Sequence, residues 1–525
     1  MDMDQVFHKL DELKQNGTDQ EAYDKVLQMS TLYRTPLPPL SQKIRDDYPF
    51  FGLSGIIYAV FYTFCLYKNP SGITAPLFAV GTLCYFFLCL RKLEIRMGKE
   101  CIFYAGSIVL LGINLCLTDD GFLIFCDYIG IFLLLLSGLL HLFYEDMEWG
   151  LPEYLSAIGQ AAFGALGHIA RPFEDRGIWK SQKKEEKKQN PVLKYVFLGI
   201  LTGLPLLVVV MLLLASADSV FGNLFGRIFN LLDVFERLDG IGDVIGIFFM
   251  MAAVYLLSYG LLVKLGSKSV SISSGRRQTG EPVVAITVNA MLGVVYLIFS
   301  MIQILYLFMG RLSLPKGTTY AEYARQGFFQ LLLVCIINMA LVLFCLYKFR
   351  ESRVLKGMLA LISGCTYIMI ASSALRMYMY VETYDLSYLR VLVFWGLGLI
   401  FLIMSGIMLF IFCRKFPLFK YCMVVVTVLY LGLAYARPDY LIASYNLNEQ
   451  HIHGNVDWRY LSRLSADAVP VIAEALERRE GDDFADDPEN LIYVWLNADV
   501  GGYKAGLRGF NFSRYYGSIS LRRLR

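Results

Sequence analysis

Charge is scarce in this sequence. Asp, Glu, Lys and Arg make up 18% of the 525 residues, while 56% are hydrophobic; a soluble domain carries about 25% charge. That balance excludes an ordinary water-soluble fold and implies a multipass membrane protein. The net charge of +3 is dispersed, so no nucleic-acid footprint is present. Cysteine is missing beyond residue 437: all eleven cysteines, Cys65 to Cys422, lie in or beside apolar runs, where Cys behaves as a small hydrophobe. A disulfide framework and a thiolate zinc site in the tail are thereby excluded. The first 49 residues contain no apolar core of a leader, so no cleavable signal peptide is expected. No Walker A, H-E-x-x-H or G-x-S-x-G string occurs, and no cofactor is expected.

Long apolar runs fill the space that charge leaves. Eleven reach the roughly 20 residues that a hydrocarbon core of about 30 Å demands, or come near it: 50–67, 73–90, 101–117, 122–143, 192–214, 244–263, 283–309, 327–347, 357–375, 391–412 and 421–436. The expected fold is all-α, a polytopic transmembrane bundle with a small extracytoplasmic helical C-terminal domain. Its parts are a cytoplasmic helical hairpin (1–35), a Pro-rich linker (36–49), a first transmembrane group of four spans (50–143), a cytoplasmic amphipathic and basic loop (144–191), a second group of seven spans (192–436) and the extracytoplasmic domain (437–525). Orientation follows from the positive-inside rule. Of the Lys and Arg residues in alternate loops, 28 fall in the set that includes the N-terminus and 8 in the other. This puts the N-terminus in the cytoplasm and the C-terminus outside a plasma membrane.

Leu151 to Ala170 carries only Glu153 and nearly reaches spanning length; it reads as an interfacial helix. The basic loop after it offers Lys183, Lys184, Lys187 and Lys188 to anionic headgroups, at about 1 kcal/mol each, with a solvated topogenic loop as the plainer reading. In the tail, Asp457 is positioned to cap a helix bearing Tyr460, Leu461 and Leu464. Asp467 is positioned to cap another that turns Val469, Ile472, Ala473 and Leu476 to one face. Between Leu214 and Phe221 a span stops at Asp218 and an amphipathic helix begins, with Val220, Phe221, Leu224, Phe225 and Ile228 at helical spacing. Such a helix lies on a membrane surface.

Four stretches carry a resemblance: Leu214-Ala215-Ser216-Ala217-Asp218-Ser219-Val220-Phe221, Pro438 to Leu447 (PDYLIASYNL), Asp457 to Pro470 (DWRYLSRLSADAVP) and Phe510 to Arg514 (FNFSR). In this order they resemble the recurring stretches of an uncharacterised family of bacterial polytopic membrane proteins, known as a domain of unknown function. The resemblance covers about 190 to 525. Two positions depart from it: Arg437 stands where Asn is expected before the Pro-Asp pair, and Phe510 and Phe512 replace an expected Trp and Leu. Membership implies a bacterial plasma membrane and no assigned reaction.

Among single residues, Asp127 is the foremost candidate, because an ionisable group inside an apolar run often marks a proton or solute path; the alternative is a carboxylate that reaches water near Asp119 and Asp120. His141 lies near the end of the same run. Asn114, Asn289, Gln303 and Asn338 read as interhelical hydrogen-bond glue. Asp218 is a helix cap or a ligand site, and Asn446 in the PDYLIASYNL stretch is a further ligand or structural candidate. His451 and His453 form an H-x-H pair with Asp439 and Asp457 as further candidate ligands, a weak metal candidate because a two-residue spacing is unspecific, and the acidic run 480–489 lacks EF-hand spacing. Gly240-Ile241-Gly242-Asp243 and Tyr384-Asp385 reproduce aspartyl-protease strings in reversed order. No catalytic constellation emerges. The functional expectation is a non-enzymatic envelope sensor, scaffold or regulatory partner in contact with the bilayer and an envelope protein; a transporter or lipid flippase built on residues such as Asp127 is the alternative, and a membrane enzyme acting on lipid-linked or cell-wall substrates the third.

Overall fold

The computed structural model describes residues 38–146, 149–183, 241–270, 280–305, 328–448, 456–478, 500, 503 and 506–523. The hairpin at 1–35, the span at 192–214, Asp218, Lys184, Lys187, Lys188, His451, His453 and the acidic run lie outside them; Lys183 is described only as the last residue of a helix. The described chain is helical, with no strand.

Ten of the eleven apolar runs fall on helices. They are α2 (Tyr48–Leu66), α3 (Thr74–Lys92), α4 (Cys101–Leu117), α5 (Gly121–Phe143), α8 (Ile241–Gly266), α9 (Pro282–Gln303), α10 (Phe328–Lys348), α11 (Arg353–Tyr384), α12 (Tyr388–Phe412) and α13 (Leu418–Tyr435). Nine are long and apolar enough to cross a membrane, and α4 is a shorter apolar helix. Large apolar side chains such as Ile102 (72%), Phe248 (72%) and Met291 (70%) stand exposed along them. Water would not tolerate that surface, and a bilayer requires it. The protein is a multipass membrane protein in contact with lipid.

Lipid supplies no hydrophobic drive between helices, so close packing and interhelical hydrogen bonds hold the bundle. At Gly112 of α4, a Cβ would sit 2.5 Å from the Ala79 side chain of α3; at Gly260 of α8 it would sit 2.6 Å from the Ala165 carbonyl oxygen. Two helical groups result. One core joins α2, α3, α5 and α8, and another joins α9 to α13. Although α8 follows the second group's expected start in sequence, it packs on α2 and on α6 (Leu151–Gly167).

The described loops gather at the two bundle ends in the same two sets that the charge count separates. At one end, α1 (Pro39–Asp46), α6 and α7 (Arg171–Lys183) meet the loops after α3, α5, α8, α10 and α12. There Lys43 pairs with Glu94, Lys92 with Asp47, Arg350 with Glu281 and Arg414 with Glu351. Helix α6 runs across this end: the Leu151 N–H donates to the Tyr347 hydroxyl (3.0 Å), Tyr154 stacks on Phe419, and Ala165 meets Gly260. At the opposite end the C-terminal helices α14 (Pro438–Asn446), α15 (Trp458–Leu461), α16 (Val469–Arg478) and α17 (Phe512–Arg523) share a small core with Leu386, Tyr388 and Val391 of the bundle.

Candidate functional site

The seam between that C-terminal segment and the bundle end concentrates the buried polar groups. It starts from the Thr118-Asp119-Asp120 turn between α4 and α5. Asp120 caps α5, its Oδ1 accepting from the Phe122 and Leu123 N–H groups (2.8 and 3.4 Å), while its Oδ2 accepts from the Tyr388 hydroxyl at 2.5 Å. Thr118 donates to Asp467 Oδ2 (2.6 Å), and Asp119 pairs with Arg514 (2.6 Å). Asn511, 1% exposed, donates through Nδ2 to the carbonyls of Ser71 (2.8 Å) and Thr118 (2.9 Å). Arg508 donates to the Tyr67 carbonyl (2.5 Å), and its own carbonyl accepts from Asn69 Nδ2 (3.1 Å).

Asp457 caps α15 as its sequence context predicts, accepting from the Tyr460 N–H (2.9 Å). Asp467 does not take the expected capping role. Helix α16 begins at Val469, two residues later, and the Asp467 carboxylate turns to Thr118 and to the Asp119 N–H instead. A 2.6 Å bond from a hydroxyl to a buried carboxylate outcompetes a cap that solvent or backbone can supply. The predicted apolar face of α16 is nevertheless buried. Asn446 clamps the turn between α11 and α12: its Oδ1 accepts from the Leu386 N–H and its Nδ2 donates to the Leu386 carbonyl, both at 2.9 Å. Arg437 occupies left-handed backbone space (φ 50°) ahead of Pro438. Asn adopts that conformation more readily than Arg, which gives a physical reason for the Asn expected there.

Burial dominates the electrostatics of the seam. It pushes the Asp439 carboxyl up to about 6, against the lowering effect of its hydrogen bonds from Ser465, whose N–H donates at 2.8 Å. Burial raises Asp467 as well, opposed by its hydrogen bonds and by Arg437. Two desolvated carboxyls in one joint hold it less firmly when ionised than when protonated.

Deeper in the bundle, Asp127 is fully buried. It does not reach water, contrary to the simpler expectation. Asn114 Nδ2 donates to its Oδ2 (2.8 Å) and the Tyr430 hydroxyl to its Oδ1 (2.8 Å), so that α4, α5 and α13 are clasped together and both carboxyl oxygens are used.

A family model described as a domain of unknown function, DUF4153, matches residues 105–475. The chain belongs to the DUF4153 family. The match includes Asn114, Asp127, Tyr430, Asn446 and Asp467, while Asn511 and Arg514 lie beyond it. No curated protein and no solved structure matches the chain.

Within the family's span, a second polar array threads α9, α10 and α11. Asn289 Nδ2 reaches Cys345 Sγ (3.5 Å), Asn338 Nδ2 donates to Thr366 Oγ1 (3.0 Å), and Gln303 Oε1 accepts from Ser372 (2.6 Å) and Arg376 (3.4 Å). The interhelical glue expected of these amides is thus present. Sequence reasoning missed Ser372, Ser373 and Arg376. Helix α11 runs 32 residues, past the expected end at 375, about 48 Å at 1.5 Å per residue; Arg376 therefore stays helical and turns inward. Among the described residues, the buried Asn289 and Asn338 side-chain oxygens, Ser300 and Ser373 have no hydrogen-bond partner. At the other end of the bundle, His141 bridges Glu100 (2.8 Å) and Asp146 (2.7 Å), and Lys420 closes on Glu100 (3.1 Å). Asp243 of the protease-like string is taken by Lys68 (2.5 Å) and Tyr67 (3.1 Å). Among the described residues, no group of three or more His, Cys, Asp or Glu is arranged to hold a metal ion.

Proposed function

We propose that this DUF4153 protein is a non-enzymatic scaffold, sensor or regulatory partner of the cell envelope, whose membrane body presents a C-terminal helical segment held on its outer end. The observation that carries this reading is the use to which the polar residues of the C-terminal stretches are put. Asn446, Asp457, Asp467 and Asn511 all bind backbone or side chains of the protein itself. A segment fastened in this way changes exposure as a unit when the fastening changes. The lopsided loop charge supports an N-terminus in the cytoplasm and a C-terminus outside the plasma membrane, and the lysines from 183 to 188 are suited to anionic headgroups.

Reporter fusions at residues 185 and 485 test the sidedness; a cytoplasmic signal at 485 overturns it. In-cell crosslinking through each soluble end, compared between the wild type and Asn511→Ala, tests the role. A partner set that shifts when the seam is loosened supports it, and no reproducible partner at either end refutes it. The array across α9, α10 and α11 favours transport as a second reading, since unpartnered acceptors inside a bundle suit passing protons, ions or polar solutes. Uptake and efflux unchanged in Asn338→Leu and in Asp127→Asn would remove that reading.

A further inference from the structure

We infer that the groove between α3, α4 and α5 is a binding site for one anionic phospholipid of the bilayer, with an acyl chain in the groove and the phosphate held by Arg96 and Lys99. The groove has a volume of about 440 Å³ and is bordered by Phe87, Met97, Gly98, Ile102, Ala105 and Gly138, among other residues. The small side chains at 98, 105 and 138 leave the space, and the wall is almost wholly apolar. From Lys92 at the end of α3 down to Leu83, another lining residue, the groove descends about 13 Å at 1.5 Å per residue. It therefore starts at the membrane surface and runs into the hydrocarbon. Phe87 and Ile102 stand exposed on the lipid-facing side, so the occupant comes from the bilayer.

Charge at the mouth selects the headgroup. In the loop 91–100, Lys92 is paired with Asp47, Glu94 with Lys43, and Glu100 with Lys420 and His141. Arg96 and Lys99 are exposed, flank the lining residues Met97 and Gly98, and have no ion-pair partner among the described residues. The acids of the loop are thus neutralised, and three exposed cations are left without an ion pair among the described residues: Arg91 beside the lining residue Leu90, and Arg96 and Lys99 beside Met97 and Gly98. This site is separate from the 183–188 lysines and does not depend on the scaffold reading.

Native mass spectrometry of the purified full-length protein, titrated with palmitoyl-oleoyl phosphatidylglycerol or palmitoyl-oleoyl phosphatidylcholine, tests the inference. The wild type is expected to retain one phosphatidylglycerol about thirtyfold more tightly than phosphatidylcholine, from two basic contacts. Arg96→Gln with Lys99→Gln, both on exposed positions, should erase that preference and leave chain binding. Ala105→Phe should expel both lipids by filling the groove. Equal retention of the two lipids by the wild type, or a preference that survives the double substitution, overturns the inference. So does undiminished retention by a folded Ala105→Phe protein.

Discussion

Asn511→Ala should release the C-terminal helix from the bundle end. The side chain is essentially buried; it spans two separate loops through Ser71 and Thr118 and accepts from the Arg514 N–H at 3.1 Å. Alanine removes all three bonds. At about 1 kcal/mol net for each, the loss comes to about 3 kcal/mol, and the two loop carbonyls left without their donor keep it from falling lower. Local opening of α17 should then rise about a hundredfold. Hydrogen exchange of residues 512–523, followed by mass spectrometry on the purified protein, reads that change directly. Amides of α9 and α10, which make none of the seam's hydrogen bonds, should exchange as in the wild type. Exchange of α17 within about threefold of the wild type would mean that the apolar core carries the docking and that the polar seam contributes little.

Asp439 makes the seam pH-dependent. Its carboxyl is raised from 3.8 to about 6 in the folded chain, so the docked state keeps a proton that the released state gives up. Its stabilising contribution is present in full below about pH 3.8 and is lost as the pH climbs to about 6. At 1.36 kcal/mol per unit, the full swing is about 3 kcal/mol. Residues 438–446 should be better protected from exchange at about pH 5 than at about pH 7 after correction for intrinsic rates, and Asp439→Asn should flatten the difference. Gly260→Ala should lower the thermal midpoint in detergent by the equivalent of about 1–3 kcal/mol, because the new Cβ meets the Ala165 carbonyl oxygen at 2.6 Å; an unchanged midpoint would show that α6 and α8 separate freely. Tyr430→Phe should destabilise more than Asp127→Asn: the first strips Asp127 of a donor, at about 1–3 kcal/mol, whereas the second keeps both neighbours once the Asn114 amide turns. The reverse order in thermal unfolding would refute the clasp.

Hydropathy and loop charge are local properties, and what depends on them alone was legible in the chain. Ten apolar runs coincide with helices within a few residues at most ends, the inward face of α16 follows from its spacing, and the sorting of loops into two ends follows from where Lys and Arg fall. The exception among helix ends, α11, ran on because Arg376 found Gln303 inside the bundle, a partner that no window of sequence contains. Tertiary structure alone decided the rest. Thr118 and Asp467 are 349 residues apart in sequence, and Asn511 reaches back 440 residues to Ser71; a bond between two polar side chains leaves no periodic trace at such separations. The alliance of α8 with α2 and α6 was equally hidden. In lipid, the choice of helix partner rests on where one small residue lets two backbones approach, and hydropathy does not record that.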